Sequence, residues 1–142
     1  MISKSRFNLP LAVASAGLLL IGVGIATAGD SKVSLTGADE VPAVTTSATG
    51  AGTITVGADK SVTGKVTTKG IAGTVAHVHL GAAGKNGPPV ITLTKTSDNV
   101  WSVPEGSKLT DEQYASYKAG DLYVNVHSAE HKGGEIRAQL KP

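Results

Sequence analysis

The sequence carries four histidines, His77, His79, His127 and His131, and no cysteine. Any metal chemistry must therefore run through imidazole, carboxylate or backbone oxygen, a donor set that suits copper, zinc or harder ions. His77 and His79 form an H-x-H. On a β-strand, side chains at i and i+2 share a face and lie roughly 6.6 Å apart. Two imidazoles at that spacing can lean together and share one ion at about 2.0–2.1 Å from each nitrogen. The opposite parity, Ala76, Val78 and Leu80, is apolar and belongs to a core.

The same parity recurs in two later segments. In residues 122–127, Leu122, Val124 and Val126 form the apolar set, which leaves Tyr123, Asn125 and His127 on the other face. In residues 135–140, Ile136, Ala138 and Leu140 face the core, and Glu135, Arg137 and Gln139 face away. If the three strands are neighbours, their polar rows merge into one outer surface holding His77, His79, Asn125, His127, Glu135 and Arg137. His77, His79 and His127 are then candidate ligands. His131, in the turn from Ser128 to Gly133, either closes over the site as a fourth or is solvated. Asn125, Glu135 and Arg137 would orient the imidazoles or set the local charge. The plainer alternative is the polar outer face that any half-exposed sheet has, with Glu135 and Arg137 a surface pair of little weight.

The elements that must position these residues read as short strands. Gly, Thr, Val and Ala dominate, and turn residues recur roughly every ten positions, the rhythm of an antiparallel sandwich or barrel. Strands are expected at about 31–37, 50–57, 61–68, 74–80, 89–96, 99–103, 122–128 and 134–140. Val62, Gly64 and Val66 against Thr63, Lys65 and Thr67 show the alternation of a half-buried strand. Asp59-Lys60 reads as a hairpin turn. One segment breaks the pattern: Thr110 with Gln113 forms a capping box, Asp111 and Glu112 stand in the first turn, and Gly120 is a stop. A short helix near 110–118 follows, its Tyr114 and Tyr117 plugging one end of the sandwich.

Several function classes find no support. Gly81 to Gly87 lacks the Lys-Ser/Thr ending of a phosphate loop and precedes no helix, so its glycines serve a tight turn that walls the histidine surface. Glu40-Val41-Pro42 reads as an extended edge segment. No nucleophile elbow or ordered Ser-His-Asp set appears. The first 28 residues carry Lys4 and Arg6, an apolar run from Leu9 to Ala26 and an Ala26-Thr27-Ala28 cleavage site, the layout of a secretory signal peptide. The run is about 18 residues, so an uncleaved anchor is the alternative. Beyond it, 11 basic residues balance 11 acidic ones. Neither a nucleic-acid surface nor a membrane-entering stretch is expected there.

Taken together, Glu40-Val41-Pro42, Gly50-Ala51-Gly52, Ala76 to Gly81, Gly84 to Pro88, Leu109-Thr110, Tyr123 to His127 and Gly133 to Leu140 resemble, in order, the motifs of the CHRD domain, the domain named after chordin. The resemblance spans about 33 to 141. The chain departs from it at Ala43, where a second proline is common, at Ala138, where glycine is common, and at His131-Lys132, where Asn-Pro is common. The resemblance therefore supports His131 least among the candidate ligands. It implies one domain over 29–142, extracytoplasmic, and an all-β Greek-key sandwich or barrel, immunoglobulin-like or like copper-zinc superoxide dismutase. His77-Val78-His79 is similar to the H-x-H of those dismutases, which favours copper over zinc. The missing cysteines and zinc-binding loop leave dismutase activity unsupported. Three readings follow: an exported copper-binding protein for storage, delivery or tolerance; a structural module of envelope or matrix with a protein or glycan partner and no metal; and a copper oxidoreductase, for which no substrate pocket is evident.

Overall fold

The computed structural model describes residues 29–142, and the signal peptide expected at 1–28 lies outside them. Nine strands follow in order: β1 (Gly29–Thr36), β2 (Thr49–Val56), β3 (Val62–Lys69), β4 (Gly73–Leu80), β5 (Pro89–Thr92), β6 (Thr94–Ser97), β7 (Val100–Ser102), β8 (Leu122–Ser128) and β9 (Ile136–Gln139). A 3-10 turn at Gly37–Asp39 follows β1, and the helix α1 (Asp111–Lys118) precedes β8. Every pairing is antiparallel, and the sheet order is β5-β4-β8-β9-β1-β2-β3-β7-β6. The two ends of that order are consecutive in the chain. β5 pairs with β4, β6 pairs with β7, and only Leu93 separates them. Leu93 still donates its N–H to Ala76 O, 2.9 Å, before the chain crosses. One expected strand, 89–96, thus becomes two, and its crossing nearly closes the sheet into a barrel, limiting exposed edge.

The alternation seen in the sequence fills the barrel. Leu35, Ile54, Val66, Val78, Val124, Val126, Ile136 and Leu140 are each at most 1% exposed. A fully buried side chain of this type contributes about 1.5–3 kcal/mol relative to its exposed state, so a domain without disulfides can rest on this core. Tyr117 and Leu109 are buried at its edge, as the helix reading requires. The capping box is formed: Thr110 Oγ1 accepts from Gln113 N (3.1 Å) and Gln113 Oε1 from Thr110 N (2.9 Å). Gly120, at φ +83°, stops the helix. Among the described residues, no helix is long and apolar enough to cross a membrane.

For function, the decisive feature is the run β4-β8-β9. The register sets His77 opposite Asn125 and His79 opposite Tyr123, then Asn125 opposite Arg137 and Tyr123 opposite Gln139. The three polar rows are adjacent, as the merged surface requires.

Candidate metal centre

The polar face was expected to lie open on the outside of the sheet. It is buried instead. His79, Asn125, His127, Glu135 and Arg137 are all at most 9% exposed, and only His77 is half-buried. Polar groups leave water only when they find partners, and the partners here come from two covering segments. The loop 81–88 lies across β8 and β9, and Arg137 fixes it: Nη1 donates to Lys85 O (2.9 Å) and to Asn86 Oδ1 (3.4 Å), and Nη2 to Ala82 O and Gln139 Oε1 (both 3.0 Å). Gln139 Nε2 donates to Gly81 O at 2.7 Å. Thr46, from the segment between β1 and β2, donates its hydroxyl to Glu135 Oε1 at 2.8 Å. Glu135 and Arg137 are therefore not a surface pair; each is tied to a different covering loop. The strand expected over 134–140 is regular only from Ile136, because Gly134 turns at φ +122°. A Cβ there would overlap both Asn125 Nδ2 and Glu40 Oε1, so this position needs glycine.

Within that covered layer three imidazoles meet. One nitrogen each of His77, His79 and His127 lies within 4.8 Å of the other two. His77 Nδ1 is 3.1 Å from His127 Nε2. Two rings are oriented by backbone: His79 Nδ1–H donates to Gly87 O and His127 Nδ1–H to Lys132 O, both at 2.8 Å. A carbonyl only accepts, so each Nδ1 carries the proton, and each Nε2 of the neutral ring presents a lone pair. This is how metal-binding histidines are commonly held. His79 Nε2 is buried with no hydrogen-bond partner. An orphaned acceptor beside two further imidazole nitrogens is what a metal centre supplies and a purely structural histidine avoids. The residues present fit a first-row divalent or monovalent ion.

Electrostatics favour the neutral, ligating form. Burial, with His127 and His79 nearby, holds the His77 pKa below the usual imidazole value, and burial likewise lowers that of His79 against the opposing bond to Gly87. His79 is further immobilised by stacking on Tyr123, with centroids 4.8 Å apart and planes 1° from parallel. The Arg137 guanidinium carbon sits 3.4 Å from the centre of the Tyr123 ring. Two planar groups at those distances cannot share one face of a ring, so Tyr123 lies between them. A single chain of contact thus runs from loop 81–88 through Arg137 and Tyr123 to His79.

His131 does not join the cluster. It is half-buried in the turn after β8, where its N–H bonds to Ser128 Oγ (3.2 Å) and its carbonyl accepts from Ser128 N and Gly134 N. Its contribution is to shape the turn that presents Lys132 O to His127. Glu40, read from sequence as part of an extended edge, is instead buried beside Asn125, whose Nδ2 donates to Glu40 Oε1 at 3.4 Å. Burial pushes the Glu40 pKa up to about 7, against the pull of Asn125 and of the Arg137 charge. No periodicity marks a carboxylate in a connection between strands, so parity could not find it. A cleft of about 560 Å³ opens beside it, lined in part by Lys32, Ser34, Glu40, Arg137 and Gln139. None of the three histidines lines this cleft, and its mixed charges select no ligand.

The Glu40 shift gives a testable pH dependence. Between its ordinary value of 4.5 and about 7 the folded chain keeps a proton that the unfolded chain releases. The cost of burying this carboxyl therefore grows as pH rises through that window and is complete above about 7, up to about 3 kcal/mol at 1.4 kcal/mol per unit. His77 and His79, with lowered values, act in the opposite sense and destabilise as pH falls below 6.5. Glu40→Gln is expected to stabilise the metal-free protein by about 2–3 kcal/mol at pH 8 and by little at pH 4.5. Urea denaturation of both proteins at the two pH values isolates this term, since the histidines cancel in the comparison. Equal stabilisation at both would remove the titration argument.

A family model for the CHRD domain matches residues 31–140, most of the chain and all of the strands that build this centre. No curated protein matches, and no solved structure does. The motifs read in the sequence, the barrel they fold into and the extent of that match agree, and the chain belongs to the CHRD domain family.

Proposed function

We propose that this protein is exported and binds one metal ion, copper in preference to zinc, through His77, His79 and His127, for storage, delivery or tolerance. One observation carries the reading: three imidazole nitrogens converge within 4.8 Å, and the buried Nε2 of His79 has no other partner. Nitrogen donors of this kind suit copper and zinc. Neutral imidazoles offer the ion lone pairs, whereas cationic ones would repel it. Asn125, Glu135 and Arg137 support the ligands without donating to them in this reading. Export rests on the basic, apolar and small-residue order of residues 1–28.

A competing reading makes the chain an envelope or matrix module with no metal, and one observation favours it: the bonds from His79 to Gly87 O and from His127 to Lys132 O hold loops without needing an ion. Titration of untagged protein with copper and zinc separates the two. One equivalent should bind, and His77→Ala, at the most accessible of the three, should weaken binding at least tenfold, while His131→Ala should leave it unchanged. Because burial lowers the His77 and His79 values, affinity should stay level from pH 8 to about 7 and fall only as the solution passes below the ordinary imidazole range near 6.5. Absence of binding, or binding indifferent to His77→Ala, sinks the metal reading and leaves the module.

A further inference from the structure

The three imidazoles surround one residue. Asn125 is the cross-strand partner of His77 and stands two residues before His127 on the same strand face. It is also diagonal to His79, the partner of the neighbouring Tyr123. Its side chain is shorter than theirs and only 1% exposed, so it forms the floor over which they lean. The amide's orientation follows from its neighbours: the NH2 group faces two acceptors, Glu40 Oε1 at 3.4 Å and Gly133 O at 3.5 Å. That turns Oδ1 away from Glu40 and Gly133, on the face Asn125 shares with His77 and His127. Asn125 Oδ1 and His79 Nε2 are both buried, and neither has a hydrogen-bond partner. Both are acceptors, since the His79 proton is committed to Gly87 O. Two buried acceptors left unpaired carry a desolvation penalty of about 1–3 kcal/mol each, and an electron-pair acceptor bound by both relieves both.

We propose that Asn125 Oδ1 is a fourth ligand, completing a closed set of three nitrogens and one oxygen for a divalent ion. This rests on the three-histidine reading and deepens it. An amide oxygen is a hard donor, matched to copper(II) or zinc(II), while copper(I) prefers softer sulfur ligands. Four protein ligands also describe a site that holds its ion, where a catalytic site keeps a position open. Storage or delivery of the oxidised or redox-inert ion follows, and turnover does not.

The test compares copper(II), zinc(II) and, under anaerobic conditions, copper(I) on the wild type and on Asn125→Leu, by competition with chelators. Asn125→Leu is expected to lose at least tenfold in affinity for both divalent ions and to hold copper(I) within about twofold. Equal losses for all three ions would assign Asn125 a purely structural role, and no loss would leave its oxygen to a buried water; either overturns the proposal. Should Asn125→Leu fail to fold, copper(II)-loaded wild type in oxygen-17-labelled water gives the answer by electron paramagnetic resonance. Ligation by the amide predicts no exchangeable equatorial oxygen, and a labelled one overturns it. A wild type that binds no ion defeats the three-histidine reading itself, whereas binding with an unchanged Asn125→Leu defeats only the fourth ligand.

Discussion

Replacing Arg137 with alanine is expected to lower the stability of the metal-free domain by about 3–5 kcal/mol, far more than loss of an exposed arginine. The side chain is 1% exposed, and no carboxylate among the described residues forms an ion pair with it. Its charge is met by carbonyl oxygens and by the Tyr123 ring. Truncation removes that donor fork at once. It leaves Ala82 O, Lys85 O and Gln139 Oε1, all part-buried, without their donor, and it opens a void under the loop where the buried side chain stood. Lysine should rescue little, because a point charge on a flexible stem cannot serve carbonyls in two directions. The loss should be local before it is global, so amide exchange should rise first across residues 81–88, then at Tyr123. Because Tyr123 stacks on His79 and Gly87 O orients it, metal affinity should fall with stability, by about 10–100-fold. A change of less than 1 kcal/mol in urea denaturation, with normal exchange in the loop, would show that the Arg137 contacts do not hold the loop.

That role for Arg137 marks where sequence reasoning stops. Strand positions were legible because alternation at Val62 to Thr67 and Ala76 to Leu80 is enforced by the two faces of a sheet, a local property. The helix was legible because a capping box is closed by residues three apart. The grouping of His77, His79 and His127 was legible only on the condition that β4, β8 and β9 are neighbours, and order within a sheet is a long-range outcome that no window of sequence contains. Burial of the polar face was not legible at all. Parity distinguishes core from not-core, and Tyr123, Asn125 and His127 alternate against Leu122, Val124 and Val126 whether loops cover them or water does. What covers them, loop 81–88 and the segment from Glu40 to Thr46, reads as turn and edge, because the glycines and prolines that shape a loop are silent about where it lies. Glu40 was missed for this reason, and burial in that unseen cover is the main cause of its raised pKa.

A metal-bound domain should resist heat far better than the metal-free one. An ion that binds only the folded chain adds RT ln(1 + [L]/Kd) to stability, about 4 kcal/mol at a free concentration a thousand times Kd. For a domain of this size that corresponds to a rise in Tm on the order of 10–20 °C. The unfolded chain binds poorly because His77 and His79 lie two residues apart but His127 is nearly fifty positions away, so only the fold assembles all three. The rise should therefore vanish with His127→Ala as fully as with the double change His77→Ala and His79→Ala, although the H-x-H pair survives in the first of these. It should reverse on adding a chelator. It should also shrink as pH falls below the imidazole range, since the ion then competes with protons for the same lone pairs. Differential scanning calorimetry with and without copper at pH 7.5 and pH 5 reads all of this. If copper raises Tm equally in the His127→Ala protein, the ion is held by the H-x-H pair alone, and the convergence of β4 and β8 is then a matter of packing.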